Sequence, residues 1–211
     1  MATAHDHKVV YRDATTSDLE SMSTMVPRSY SPDASLSQII PDTPKTRQWW
    51  VETYRHALSD PAARLLLAVD GEKTVGIFIL HYLGPDSPSS SSSAITSVVP
   101  LIEDHSPILA EALKDLKAGR KELMGGEPHF LVELVGVDAA YQSQGIGKEL
   151  TRRACEVADQ RDAAIYLRTS AAKGYYVSKV DLGFEAHGNG DENGGTIIRA
   201  RKPKRVDGAV K

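Results

Sequence analysis

The stretch that most limits the fold is "HFLVELVGV", His129 to Val137. It is apolar at nearly every position. A strand wetted on one face alternates apolar and polar residues, so this one reads as buried on both faces, inside a sheet covered by helices. A turn, "DAAYQSQGIG", follows it. Next comes "GKELTRRACEVADQ", with Leu150, Ala154 and Val157 on one side and Arg152 and Arg153 on the other. That spacing predicts an amphipathic helix. "AAIYLRT" then predicts a second buried strand.

The rest of the chain fits the same class. Lys8 to Arg12 reads as a first strand. A Thr or Ser before Asp18 can cap a helix carrying Leu19, Met22 and Val26 at helical spacing. Pro27 to Pro44 reads as a loop. Lys45 to Leu58 reads as a helix with Trp50 and Tyr54 on one face; Trp49 and Trp50 are either core or ligand walls. Leu65 to Val69 and Thr74 to Leu83, joined by "DGEK", form a hairpin. The serine-rich stretch Gly84 to Ser97 reads as a loop, and Ser106 to Leu123 as a helix. "AAKGYYVSKVDLGFE" starts as a helix that stops at Gly183, "GNGDENGG" is a turn, and "TIIRAR" is the last strand. The expected order is β-α-α-β-β-α-β-α-β-α-β-β, one α/β domain with a mixed sheet. Its expected limits are residues 8–202, with a leader at 1–7, an insertion at 84–127 and a tail at 203–211.

Several functions are set aside. With 25 basic and 28 acidic residues the formal charge is -3, which gives no electrostatic footprint for nucleic acid. No apolar run approaches the ~20 residues of a membrane span, and no secretory signal is visible. Cys155 is the one cysteine, so no intrachain disulfide forms, and its helical setting suits a buried apolar group better than a reactive thiol. "HDH" near the start has no Cys or His at metal-ligand spacing, so no metal is expected. The expected location is cytoplasmic; "ARKPKR", Ala200 to Arg205, leaves a nuclear one open.

The glycines of "YQSQGIGKEL" raise the question of a phosphate site. A dinucleotide fingerprint needs a third Gly or Ala where Leu150 stands, and a phosphate-binding P-loop needs a Gly where Gln142 stands. Both fail. A strand running into a helix that starts at Gly145 or Ile146 still offers unpaired amides and a favourable dipole to an anion. Tight strand-helix packing explains the glycines equally well.

The surroundings decide between these readings. "GVDAAYQSQGIGKEL" resembles the acyl-CoA-binding motif of the GNAT superfamily of N-acetyltransferases, through Gln142, Gly145 and Gly147. "YRDATTSDLE", "LLLAVDGEKTVGIFIL" and "VDLGFE" resemble, in order, the family's first strand and helix, its second and third strands, and the end of its last helix. The block around His129 to Gly147 is most similar to the drug- and antibiotic-type branch that includes puromycin N-acetyltransferase. The resemblance implies a mixed, mostly antiparallel sheet with a central splayed parallel pair and helices on both faces. It implies acetyl-CoA as cosubstrate, with backbone at Val135, Gly136 and Val137 holding the pantetheine. Amides of Gln142, Ser143, Gln144, Gly145, Ile146, Gly147 and Lys148 would hold the pyrophosphate. Lys148 could add charge there or be a solvated helix residue, and Ser170 could bond the pantetheine or close a local turn.

An alkylammonium must lose a proton before it can attack a thioester. Glu133 is the only acid in its strand. Period-two alternation puts it on the face of Val135 and Val137, where it would act as base or water-positioner, or else pair with a basic residue or orient the substrate. The Val135 N–H is the expected oxyanion donor. The family's usual thiolate acid is a Tyr at the position of Lys179. Tyr176, one turn earlier, is the expected substitute, with Lys179 or no dedicated acid as alternatives. Substrate contacts are expected from Arg28 to Trp50 and from His187 to Gly195, including Asp191 and Glu192. The implied activity is acetyl transfer to a small-molecule amine, with protein acetylation or a non-catalytic CoA-binding module as alternatives. The implied partners are that amine and, as in many relatives, a second copy of the chain, with neither nucleic acid nor membrane.

Overall fold

The structure, a computed structural model, describes residues 9–30, 41–84, 120–170, 182–187 and 196–202. Its strands are β1 (Val10–Asp13), β2 (Ala63–Asp70), β3 (Lys73–Leu83), β4 (His129–Val137), β5 (Ala164–Ser170), β6 (Phe184–His187) and β7 (Thr196–Arg201). Its helices include α1 (Leu19–Ser23), α2 (Met25–Tyr30), α3 (Pro44–Ser59) and α4 (Ile146–Gln160). Short 3-10 turns cover Thr16–Asp18 and Ala139–Tyr141. The strands form one sheet in the order β1-β2-β3-β4-β5-β7-β6. Every pairing is antiparallel except β4 with β5. This is a single α/β domain with a mixed sheet.

Alternation along β2 builds the two layers. Leu65, Leu67 and Val69 join Ile77, Ile79, Met22, Met25, Trp50 and Tyr54 on the face of α1 to α3. Leu66 and Ala68 join Phe78, Leu80, Ile146, Leu150, Ala154 and Ala158 on the face of α4. Cys155 is buried there too, as its helical position predicts.

Local chemistry fixes the helix starts. The Thr15 N–H and hydroxyl both donate to the Asp18 carboxylate, at 2.8 and 2.9 Å. Arg12 grips the same carboxylate with two bonds, at 2.8 and 2.7 Å. Thr43 caps α3 by accepting from the Thr46 N–H at 3.1 Å, with Pro44 just inside the first turn.

The expected loop from Pro27 begins too early. Pro27 is the third residue of α2, which continues to Tyr30. In a first helical turn the N–H that proline lacks has no intrahelical acceptor to lose. Trp49 and Trp50 resolve as core rather than ligand walls, 7% and 2% exposed, with Trp50 stacked on Tyr54 at 5.3 Å.

The serine-rich stretch, most of the Ser106–Leu123 helix, the helix expected from Ala171 and the Gly188–Gly195 turn lie outside the described residues, as do the leader and tail. Residues 120–124 are helical. Among the described residues no helix is long and apolar enough to cross a membrane.

Candidate active site

Strands β4 and β5 pair over only three positions: His129 with Ala164, Phe130 with Ile165 and Leu131 with Tyr166. Beyond Leu131, β4 stays with β3 and β5 continues along β7. The sheet therefore splits at its centre, toward the end of β4 that leads into α4.

The cause lies in β4. Its register against β3 runs from Ile79 opposite Leu134 to Leu80 opposite Val132, so Glu133 is the extra residue of a β-bulge. A bulge bends its strand and sharpens the twist. It also breaks the alternation that put Glu133 on the face of Val135 and Val137. Those two valines pack with the α4 layer, as do Phe130 and Val132 on the other side of the bulge. Leu134 packs with the α1–α3 layer instead. Glu133 Oε1 lies 3.6 Å from Nδ1 of His81. His81 stands opposite Leu131, whose neighbours Phe130 and Val132 face α4. The carboxylate is thus turned to the face opposite α4, a correction to the sequence reading.

Only 1% of the Glu133 side chain is exposed, although the residue as a whole is half-buried. What it shows to solvent is main chain. Val135, Gly136 and Val137 are half-buried as well, beside the split. Gly136 lies under α2: a Cβ there would stand 3.0 Å from Ser29 Oγ and 3.3 Å from Met25 Cε.

Past β4, the chain is fastened before it turns. Asp138, buried, accepts from Arg28 Nε at 2.7 Å, from Lys73 Nζ at 2.9 Å and from the Ala140 N–H at 3.0 Å. Burial alone would raise its pKa, but these bonds hold it below the ordinary carboxylate value. The Tyr141 hydroxyl donates to Asp70 at 2.7 Å. The Gln142 side chain donates to the carbonyls of Val137 at 3.0 Å and Ser29 at 3.1 Å, and its own N–H donates to Ala139 at 3.4 Å. Gln142 is thus a brace.

Ser143 and Gly145 adopt left-handed backbone, with φ of 64° and 85°. Gln142 to Gly145 and Lys148 are exposed. The first bond inside α4 runs from the Glu149 N–H to the Gly145 carbonyl at 3.0 Å. The amides of Ile146, Gly147 and Lys148 therefore have no intrahelical acceptor, and the helix dipole adds positive potential at that spot. A split sheet leading to an open helix N-terminus suits a long, flexible ligand that ends in phosphate.

Ser170 ends β5, paired with Thr196 in the sheet. Tyr176 and Lys179 lie outside the described residues, as do Asp191 and Glu192. The sequence reading assigned no role to His81 or Asp138, and it placed Arg28 in the expected substrate segment rather than on Asp138. A lone histidine inside the apolar run "GIFILHYL" was the available signal for the first. The two ion-pair partners lie 110 residues apart and gave none. His81 is fully buried, with Nε2 3.8 Å from Asp60 Oδ2. Burial pushes its imidazole below the ordinary value; Asp60 opposes this, while Arg120 and His56 reinforce it.

The model of the acetyltransferase (GNAT) family matches residues 27–178, most of the chain. The chain belongs to the GNAT family. GNAT proteins are N-acetyltransferases that use acetyl-CoA, and this one is an enzyme of that class. The GNAT fold is matched by solved structures at low identity. The arylalkylamine N-acetyltransferase 2 of Aedes aegypti is 15% identical, with a TM-score of 0.64 over 93% of this chain and 100% of its own. The histone acetyltransferase HPA2 and related acetyltransferase of Corynebacterium glutamicum is 17% identical, with a TM-score of 0.61 over 94% and 98%. The PaiA N-acetyltransferase of Thermoplasma acidophilum, solved with coenzyme A, is 12% identical, with a TM-score of 0.53 over 92% and 99%. At these identities the likeness concerns the fold. No curated protein matches the chain in sequence.

Proposed function

We propose that this GNAT enzyme acetylates the primary amine of a small molecule, by direct attack within a ternary complex. The observation that carries the reading is the buried Glu133 carboxylate at the bulge where β4 parts from β5. It supports an acid-base group at the point where thioester and amine would meet. The small-molecule class is supported by the likeness to a protein named for arylalkylamines, and it matches the drug-type branch that the sequence resembles.

The residues present fit coenzyme A. Main chain of Val135, Gly136 and Val137 would hold the pantetheine, with Ser170 at the facing strand end. Amides of Ser143, Gln144, Gly145, Ile146, Gly147 and Lys148 would hold the pyrophosphate. The internal bonds of Gln142 support a bracing role for it, beside the pyrophosphate role that its place in the motif implies. Acetyl-CoA supplies an activated acyl carbon and a thiolate leaving group.

The protein's own part is proton handling and orientation. An alkylammonium near pKa 10.4 is almost wholly protonated at pH 7, so Glu133 accepts a proton, directly or through water. The Val135 N–H donates to the oxyanion. Tyr176 is the proposed acid for the thiolate, in place of the family's usual Tyr at position 179.

A free-thiol release assay with acetyl-CoA and tryptamine, spermidine and an alanine-initiated peptide tests the reading. Turnover on a small amine is expected. Turnover on the peptide alone would move the acceptor to protein, and binding without turnover would make the chain a CoA-binding module.

A further inference from the structure

Transfer of an acetyl group from a thioester to an ammonium releases one proton overall. The ammonium gives up a first proton to become nucleophilic. A second leaves nitrogen as the C–S bond breaks and ends on sulfur. The first must reach bulk water, yet the side chain of Glu133 is 1% exposed.

We propose that His81 is the outlet for that proton, taking it from Glu133 at Nδ1 and passing one from Nε2 to Asp60, which faces solvent. The inference rests on the acetyltransferase reading with Glu133 as base. Three observations carry it. His81 is fully buried, and among the described residues neither ring nitrogen has a hydrogen-bond partner. A histidine kept for packing alone leaves two polar atoms unsatisfied, a cost that an apolar side chain of similar size avoids. Its two edges face two carboxylates, Glu133 Oε1 at 3.6 Å and Asp60 Oδ2 at 3.8 Å. The Asp60 side chain is 24% exposed, so the line runs from a sealed carboxylate to an open one.

Both gaps are about half an ångström beyond hydrogen-bond reach, as is common for catalytic bonds before substrate binds. A neutral imidazole accepts at one nitrogen and donates at the other, which is what a relay needs. A ring flip between turnovers restores the starting tautomer. Among the described residues, the charged and titratable groups around the ring are His56 of α3, Asp60 after it, Arg120 before β4 and Glu133 of β4. The residues opposite His81 on β2 and β4, Ala63 and Leu131, are apolar.

The test uses the full chain, with the same three acceptors, and the variants His81→Gln and Asp60→Asn. The rise in melting temperature on adding acetyl-CoA should persist, and KM for the amine should stay within about twofold. The kcat of His81→Gln should fall about tenfold or more, less than the roughly 10²–10⁴-fold lost with a direct acid or base, because His81 acts through Glu133. Asp60→Asn should fall severalfold. The solvent deuterium isotope effect on kcat should grow in both. Wild-type kcat and isotope effect in both variants would overturn the relay, and so would a lower kcat with an unchanged isotope effect. If His81→Gln does not fold, Asp60→Asn decides alone by the same readouts. A wild-type enzyme inactive on every acceptor would sink the acetyltransferase reading and the relay with it; turnover that survives both substitutions sinks the relay only.

Discussion

The Asp138 carboxylate accepts from Arg28 Nε at 2.7 Å, joining the end of β4 to the end of α2 across 110 residues of chain. The same carboxylate holds Lys73 of the β2–β3 hairpin. The loop that carries the open amides of α4 is therefore tied at its start to α2 and to the β2–β3 hairpin.

Removing that anchor should cost stability and cofactor affinity together. Asp138→Ala loses charge-assisted bonds worth about 1.5–3 kcal/mol in total stability, after allowing for half-exposed partners. Urea denaturation should show the loss, and calorimetric titration should show weaker acetyl-CoA binding. Unchanged affinity in a folded variant would mean that the loop holds its shape unaided.

Gly145→Ala tests the left-handed turn at the start of α4. A Cβ there meets nothing within 4 Å, so the cost is conformational rather than steric. At φ 85° it should be about 1–2 kcal/mol. Gly145→Asn should cost less, because asparagine tolerates this backbone better. Equal melting temperatures for both variants would contradict the argument.

The Arg12 grip gives a pH signature. Hydrogen bonds from Arg12 hold the Asp18 carboxyl at about 2, against an ordinary 3.8. A depressed carboxylate stabilises the fold above its unfolded value and loses that contribution as pH falls. Stability should drop between about pH 4 and pH 2, by about 1 kcal/mol once screening at half-exposed Arg12 is allowed for. Asp18→Asn should be less stable at neutral pH and flatter across that window. Parallel curves for the two proteins would remove Asp18 from the account.

Much of the scaffold was legible in the sequence. "HFLVELVGV" has the bounds of β4, because its polar flanks mark both ends. Helix α4 begins at Ile146, as its glycine start implied. The orientation of Glu133 was not legible. Period-two counting assumes unbroken pairing, and one bulged residue reverses every side chain beyond it. Pro27 misled for a related reason, since proline ends a helix in its interior but suits its first turn. The pairing of His81 with Glu133 depends on that same bulge, so no spacing rule could supply it.

The most direct test of the central claim is the steady-state kcat of Glu133→Gln at saturating amine and acetyl-CoA. Glutamine keeps the shape of the side chain but cannot accept the proton. A fall of about 10²–10⁴-fold in kcat is predicted, with acetyl-CoA binding retained. A kcat equal to that of the wild-type enzyme would remove Glu133 from the mechanism and contradict the account.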